Sequence, residues 1–397
     1  MIFDASWDEI MEKLFKKEAG QFFVSVTIRS LALGLVAIFE PVYLYLYFNK
    51  SVPHVLLFWS AFSGLFALTV VFGGRIMAKI GLKKTMLLSN VFYFAYYICL
   101  FFAEGHLILI PLALLSRAIG ASLFWPAFHT DFVRIANSKS RAENVGKMSV
   151  LGLIAGIVGP AIGGLILSGL GYLSLFTVVL VTLFTSNLPL LMSKERYEEY
   201  TDTYKGAWKR MFKNKDISIS LASLGIEGAI DAFIWPIFIF ALGLSYGQMG
   251  AISTFTILIS AIFAWYMGKV TARRSKYQLL NIGSMLLSLA WAAKLFVVDV
   301  ASAFFGQTIY MITKTATLVP YRTILYNRAS KKRGQADEFI IYREIIINLS
   351  RFFFLLILAG IFYYTPNLRI GFIISIIASL GFSFLAKPYL LPLIKRK

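Results

Sequence analysis

Apolar residues occur in this chain as long unbroken blocks between short polar breaks, without the period-two alternation of a half-buried strand. Twelve blocks fall at 23–47, 55–75, 85–103, 107–133, 148–168, 172–192, 217–243, 248–268, 278–298, 303–325, 339–364 and 367–386. At about 1.5 Å of rise per residue, each can cross a hydrocarbon core about 30 Å thick. Continuous apolar runs are helices rather than barrel strands, because a helix satisfies its own backbone where no water can. Six blocks precede and six follow one long polar connection. The pattern predicts an all-α integral membrane protein, with twelve transmembrane helices in two pseudo-symmetric six-helix bundles at 23–192 and 217–390. A cytoplasmic linker at 193–216 joins them, an amphipathic interfacial helix over 1–22 precedes them, and a basic tail at 391–397 follows.

The two halves repeat each other at an offset of 194 or 195 residues. Glu40-Pro41-Val42-Tyr43-Leu44-Tyr45 returns as Trp235-Pro236-Ile237-Phe238-Ile239-Phe240, and Gly74-Arg75-Ile76-Met77-Ala78-Lys79 returns as Gly268-Lys269-Val270-Thr271-Ala272-Arg273. Pro126 with Arg134 returns as Pro320 with Arg328, each followed by a short basic run. Duplicated bundles that rock about a shared site are a common construction of secondary transporters.

Charge placement changes what the net +19 means. With the N-terminus inside, 30 of the 39 Lys and Arg fall on cytoplasmic tails and loops, and only Lys50 and Arg369 on outer connections. That is the positive-inside bias, so no nucleic-acid partner is expected. The expected partners are the lipid bilayer and a small-molecule substrate. A monomer in the cell membrane, with both termini cytoplasmic, is the expected form. The first residues are acidic and lack an apolar core, so they read as a surface helix rather than a signal peptide. Ser6 and Glu9 have capping-box spacing there, and Phe3, Trp7, Ile10, Leu14 and Phe15 share one face. The linker's Trp208, Met211 and Phe212 beside Lys209, Arg210 and Lys213 suggest a second segment lying on the membrane.

One cysteine, Cys99, and three histidines leave no material for a disulfide or a metal cage. No phosphate-cradling loop is present, so ATP is not the expected energy source. No cofactor is expected, only a proton or other ion gradient.

Three local patterns resemble the major facilitator superfamily. Gly74-Arg75-Ile76-Met77-Ala78-Lys79-Ile80-Gly81-Leu82-Lys83-Lys84 is similar to the family's signature loop after its second helix. Gly156-Ile157-Val158-Gly159-Pro160-Ala161-Ile162-Gly163-Gly164 resembles a fifth-helix motif of the family's drug and metabolite antiporters. Arg117-Ala118-Ile119-Gly120 is similar to the helix-4 arginine motif, with compressed spacing. The resemblance implies twelve helices lining a central cavity with spans 1, 4, 7 and 10. It also implies gating roles for Gly74, Lys79, Gly81, Lys83, Lys84, Gly159, Pro160, Gly163 and Gly164. One departure stands out: alanine occupies the loop's usual aspartate position in both copies, at Ala78 and Ala272. Asp131 or Glu143 are candidates to replace that carboxylate.

Physically, Gly74 and Gly81 would permit a tight reversal, while the small residues of Gly159-Pro160-x-x-Gly163-Gly164 would let a neighbouring backbone approach. Prolines at 41, 126, 236 and 320 remove backbone hydrogen bonds and would bend spans 1, 4, 7 and 10.

Seven ionisable residues fall well inside predicted spans: Arg29, Glu40, Arg117, Glu227, Asp231, Lys314 and Arg351. At roughly 3 kcal/mol each, exposing all of them to lipid would cost about 20 kcal/mol. They must face water or each other. Each has two readings, an ion pair locking helices together or a group that orients substrate or carries protons. Glu227 and Asp231, four apart, share a helix face, and two carboxylates so close favour different protonation states, which suits proton carriage. Asp231, Lys314 and Arg117 fall at similar depth. Lys294 is read near the outer end of span 9, snorkelling toward Asp299, while His129 and Asp131 are read as interfacial. Tyr43, Tyr45, Tyr47, Trp125, Phe128 and Trp235 could wall an organic solute or merely pack.

These observations point to a secondary active transporter of a small organic solute, not an enzyme, working by alternating access and proton-coupled efflux. The alternatives are a proton-coupled importer of a small metabolite and a non-transporting sensor or scaffold of the same shape.

Overall fold

The computed structural model describes residues 18–136, 142–198, 200, 204–329 and 336–389. Most of the expected N-terminal surface helix, all of the basic tail and the side chain of Glu143 lie outside the described residues.

The described elements are helical throughout. They are α1 (Glu18–Val36), α2 (Glu40–Tyr47), α3 (Val52–Ile80), α4 (Leu82–Phe101), α5 (Leu109–Ala136) and α6 (Ala142–Leu191). Then come α7 (Tyr204–Lys213), α8 (Lys215–Ala229), a π-helical turn (Ile230–Ile234), α9 (Trp235–Ala241), α10 (Tyr246–Arg273) and α11 (Lys276–Lys294). Last are α12 (Val300–Ala329), α13 (Ala336–Tyr364), α14 (Arg369–Leu380) and a 3₁₀ stretch (Gly381–Tyr389). Among the described residues, nine helices are long and apolar enough to cross a membrane. One of them, Ala155–Leu191, is 37 residues long. It breaks at Gly171, whose φ of 76° and ψ of −177° leave the helical region, so it carries two of the expected spans. The more polar α11 and α12 supply the remaining two. The twelve-helix expectation is met.

Contacts divide the chain into two compact units, Met1–Val36 with Thr69–Thr201, and Ala37–Leu68 with Asp202–Lys397. In the first, α1 lies along α6, and α4 packs on α5. Small residues make the α1–α6 seam: a Cβ placed on Gly159 would stand 2.7 Å from the Gly34 carbonyl carbon. In a lipid solvent such backbone approach, rather than hydrophobic expulsion, holds helices together. Pro160, Gly163 and Gly164 are buried on the same helix. In the second unit, α11 packs against α12 and α14, and α13 against α8. A Cβ on Gly225 would meet the Ile347 carbonyl oxygen at 2.6 Å, so glycine again sets the interhelical distance.

Two of the four prolines break their spans. Between α1 and α2 the helix is interrupted at 37–39, just before Pro41, and the π-helical turn ends just before Pro236. There the Trp235 N–H reaches back five residues to the Ile230 carbonyl. Pro126 and Pro320 instead sit inside the continuous α5 and α12.

The reversal after α3 corrects one expectation. Gly74 is buried within α3, which continues to Ile80, so it makes no turn. Gly81 alone makes it, at φ 97°, a conformation that costs other residues more. In the linker, α7 carries the expected exposed Trp208 and Phe212, and the Tyr204 hydroxyl donates to the Leu68 carbonyl.

Candidate functional site

Three intramembrane charges of the second unit converge. Lys314 of α12 donates to Asp231 Oδ2 at 2.7 Å and to the Tyr310 hydroxyl at 2.6 Å. Tyr310 in turn donates to Glu227 Oε1 at 2.5 Å, and Glu227 Oε2 lies 3.6 Å from the Lys314 ammonium. Asp231, Lys314, Tyr310 and Glu227 therefore form one continuous hydrogen-bonded chain between α8 with its π-helical turn and α12. The turn places Asp231, in keeping with the frequency of such turns at functional positions. Glu227 is fully buried, whereas the side chains of Asp231 and Lys314 keep 21% and 18% of their exposure. One end of the chain is fully buried and the other keeps some exposed surface.

Lys294 overturns its sequence reading. It does not snorkel toward Asp299; its side chain is wholly buried and its ammonium lies 4.0 Å from Asp231 Oδ1. Three rings enclose that ammonium, with centroids 3.7 Å away for Tyr310, 3.9 Å for Trp235 and 4.4 Å for Trp291. Such a box attracts a cation through the negative ring faces, so the lysine can stay inside without water. Asp299 is instead the N-terminal cap of α12, accepting from the Ser302 amide at 2.7 Å and the Ser302 hydroxyl at 2.6 Å. Those bonds hold its carboxyl below the usual aspartate range, the hydroxyl contributing most.

Arg29 of α1 lies at the centre of a second cluster, in the first unit. Its side chain is almost fully buried, and its guanidinium is held between the rings of Tyr93, 4.1 Å away, and Phe124, 3.8 Å away. Nη1 donates to Asn90 Oδ1, and Asn90 donates onward to Asn187 Oδ1. Arg117 lies over the same Tyr93 ring at 4.9 Å and over Tyr96 at 5.0 Å.

A third group gathers at the Gly81 reversal. Lys83 and Asp131 form an ion pair with both side chains buried, and Glu18 is 4.0 Å from the same ammonium. Asp131 is thus a core residue of α5 rather than an interfacial one, because that helix runs on to Ala136. It pairs with Lys83, a basic residue of the loop whose usual carboxylate position holds Ala78. Glu195, unnoticed in the polar connection, accepts from the backbone amides of Lys83 and Lys84, each at 2.9 Å. It caps α4, whose own N-cap, Gly81, has no side chain to offer. Lys79 and Lys84 project outward.

Glu40 is buried at the start of α2. Arg351 donates through Nε to the Gly225 carbonyl at 3.2 Å and passes over Gly228, a packing arrangement between α13 and α8. Trp235 belongs to the lysine box, and His129 stacks on Trp125. A groove of about 550 Å³ between α3, α7 and α13, lined by Leu65, Trp208, Met211 and Phe352 among others, carries no charged residue. It is unsuited to recognising a charged solute.

Comparison with known proteins gives this architecture relatives. The sequence profile described as Major Facilitator Superfamily matches residues 22–336. The uncharacterized protein YqgE of Bacillus subtilis (strain 168) is 25% identical over 310 residues, covering 72% of this chain and 69% of that protein. Among solved structures, the E. coli fucose:proton symporter FucP superposes with a TM-score of 0.65 at 13% identity, covering 94% of this chain and 98% of the other. A D-xylose-proton symporter superposes at 0.71 and 12% identity, covering 93% and 97%. At such identities the likeness is one of fold.

Proposed function

Because the chain belongs to the Major Facilitator Superfamily, we propose that it is a secondary active transporter, moving a small organic solute by alternating access with protons as the coupling ion. The observation that carries the coupling is the Asp231–Lys314–Tyr310–Glu227 chain, in which two carboxylates compete for one ammonium. A proton arriving at the partly exposed Asp231 cancels its charge and frees Lys314 to pair fully with Glu227. Lys294 loses its counter-charge in the same event, since Asp231 lies within 4.0 Å of both lysines. Protonation thus rearranges contacts between α8 and α12 without any change in the backbone chemistry. A conformational equilibrium moves only by such a difference in interaction energy between states.

The division into bundles at 23–192 and 217–390, working as a monomer in the cell membrane with cytoplasmic termini, is part of the same reading. The motif around Gly159 and Pro160 favours efflux by proton antiport. Symport is the second reading, favoured by the likeness of fold to two proton symporters.

Purified protein in proteoliposomes tests both. An imposed pH gradient should drive solute flux, and Asp231→Asn should uncouple it while exchange at equal pH persists; Glu40→Gln run in parallel shows whether that carboxylate shares the role. The sign of proton movement accompanying a solute gradient separates antiport from symport. Gradient-driven flux that Asp231→Asn leaves intact would overturn the coupling assignment, and absence of any flux would leave only the scaffold reading.

A further inference from the structure

Burial of Lys294 changes the charge balance inside the membrane. Arg29, Arg117, Lys294, Lys314 and Arg351 now stand against Glu40, Glu227 and Asp231, while the buried pairs Lys83–Asp131 and Arg343–Glu344 cancel internally. The described interior therefore carries more fixed positive than negative charge. In the second unit Lys294 and Lys314 face Asp231 and Glu227, two cations against two carboxylates, whereas in the first unit Arg29 makes no ion pair among the described residues.

Arg29 also leaves specific donors open. Its side chain is 3% exposed, and Nη1 is used by Asn90, yet Nε and Nη2 have no hydrogen-bond partner among the described residues. Those two nitrogens point their hydrogens the same way, forming the side-on fork that matches the two oxygens of a carboxylate or phosphate. The rings of Tyr93 and Phe124 lie against the guanidinium, 4.1 Å and 3.8 Å from its central carbon, which leaves its edge to receive a partner. Asn187 holds Asn90, and Asn90 holds Arg29, which fixes the fork before any ligand arrives. A cation needed only for packing against the rings would not need that edge left unsatisfied.

We propose that the solute carried is an organic anion, held through its carboxylate or phosphate-like group by the Nε and Nη2 edge of Arg29, with Arg117 adding positive potential across Tyr93. This names the substrate class within the transporter reading above and rests on it, but its claim about ligand charge is tested by binding alone.

The test uses the full-length protein in lipid nanodiscs and measures equilibrium binding by thermal shift and thermophoresis. The probes are benzoate, succinate and inorganic phosphate, beside neutral benzamide and succinamide and the cation benzylamine. At least one anion should bind tenfold or more tightly than the uncharged and cationic probes. Arg29→Gln should weaken that anion at least tenfold, and Arg29→Lys, which keeps the charge but not the fork, by an intermediate factor. The exposed Arg75→Gln should bind like the unaltered protein. Indifference to charge across the panel, a preference for the amides or the amine, or unchanged anion affinity in Arg29→Gln would each overturn the proposal. Should the Arg29 variants fail to fold, the panel on the unaltered protein still decides. Flux of a neutral solute without anion affinity would sink this proposal and spare the transporter reading; anion binding without flux in proteoliposomes would do the reverse.

Discussion

Lys83 and Asp131 neutralise each other with both side chains withdrawn from water, at the end of the protein where α3 turns into α4. Removing one partner strands the other charge, which costs about 3–5 kcal/mol for a buried pair, whereas replacing both with apolar residues is often near neutral. Asp131→Leu should therefore lower the unfolding midpoint in detergent strongly, and Lys83→Met with Asp131→Leu should recover most of the loss. Equal loss in the single and double variants would mean that the pair is not what holds this corner.

Tyr310 is the relay between Lys314 and Glu227, and it also forms one wall of the Lys294 box. Tyr310→Phe keeps the wall and deletes the relay. Leaving buried polar partners unsatisfied costs about 1–3 kcal/mol. The variant should unfold at lower temperature and show a weaker pH dependence of transport, while Lys294 stays unreactive toward amine-modifying reagents. Reactive Lys294 in Tyr310→Phe would show that the hydroxyl, not the ring, shields it.

Two glycines one helical turn apart make opposite predictions. A methyl on Gly159 would stand 2.7 Å from the Gly34 carbonyl carbon, but one on Gly156 meets nothing within 4 Å. Gly159→Ala must push α1 from α6, an overpacking cost of about 1–3 kcal/mol. Gly156→Ala should gain up to about 1 kcal/mol of helix propensity. Unfolding midpoints of the two variants should move in opposite directions.

Asp299 is held below the usual carboxyl range by the Ser302 hydroxyl and amide, so folding favours its charged form. Its stabilisation is complete above the unfolded aspartate value and disappears as pH falls through the lower folded value, below about 4. Asp299→Ala should be less stable than the parent at pH 7, and the gap should close in acid. A gap that widens in acid would contradict the capping geometry.

Much of the architecture was legible because apolar run length is a direct physical requirement of crossing lipid. Both proline-adjacent breaks had a local signal, the missing N–H of Pro41 and Pro236. Lys294 was misplaced because proximity to a span's end says nothing about direction: the box needs Trp235 from one helix and Tyr310 from another. Asp131 was misjudged because its neutralising partner, Lys83, comes from a segment 48 residues away that run length does not place beside it. Glu195 had no sequence signal, since a capping carboxylate from a remote loop leaves no periodicity. The Gly74 error came from letting a glycine imply a turn where the helix simply continued.

The lysine in its aromatic box also bears on how the protein is made. Lys276–Lys294 and Val300–Ala329 are absent from the helices apolar enough to span on their own, and each carries a lysine paired with Asp231, fully buried at Lys294 and partly exposed at Lys314. Their carboxylate partners, Glu227 and Asp231, precede them in translation order. Spans 9 and 10 thus depend on an earlier, already inserted helix to receive their ammonium groups, and deleting span 7 should leave that later hairpin stalled at the translocon.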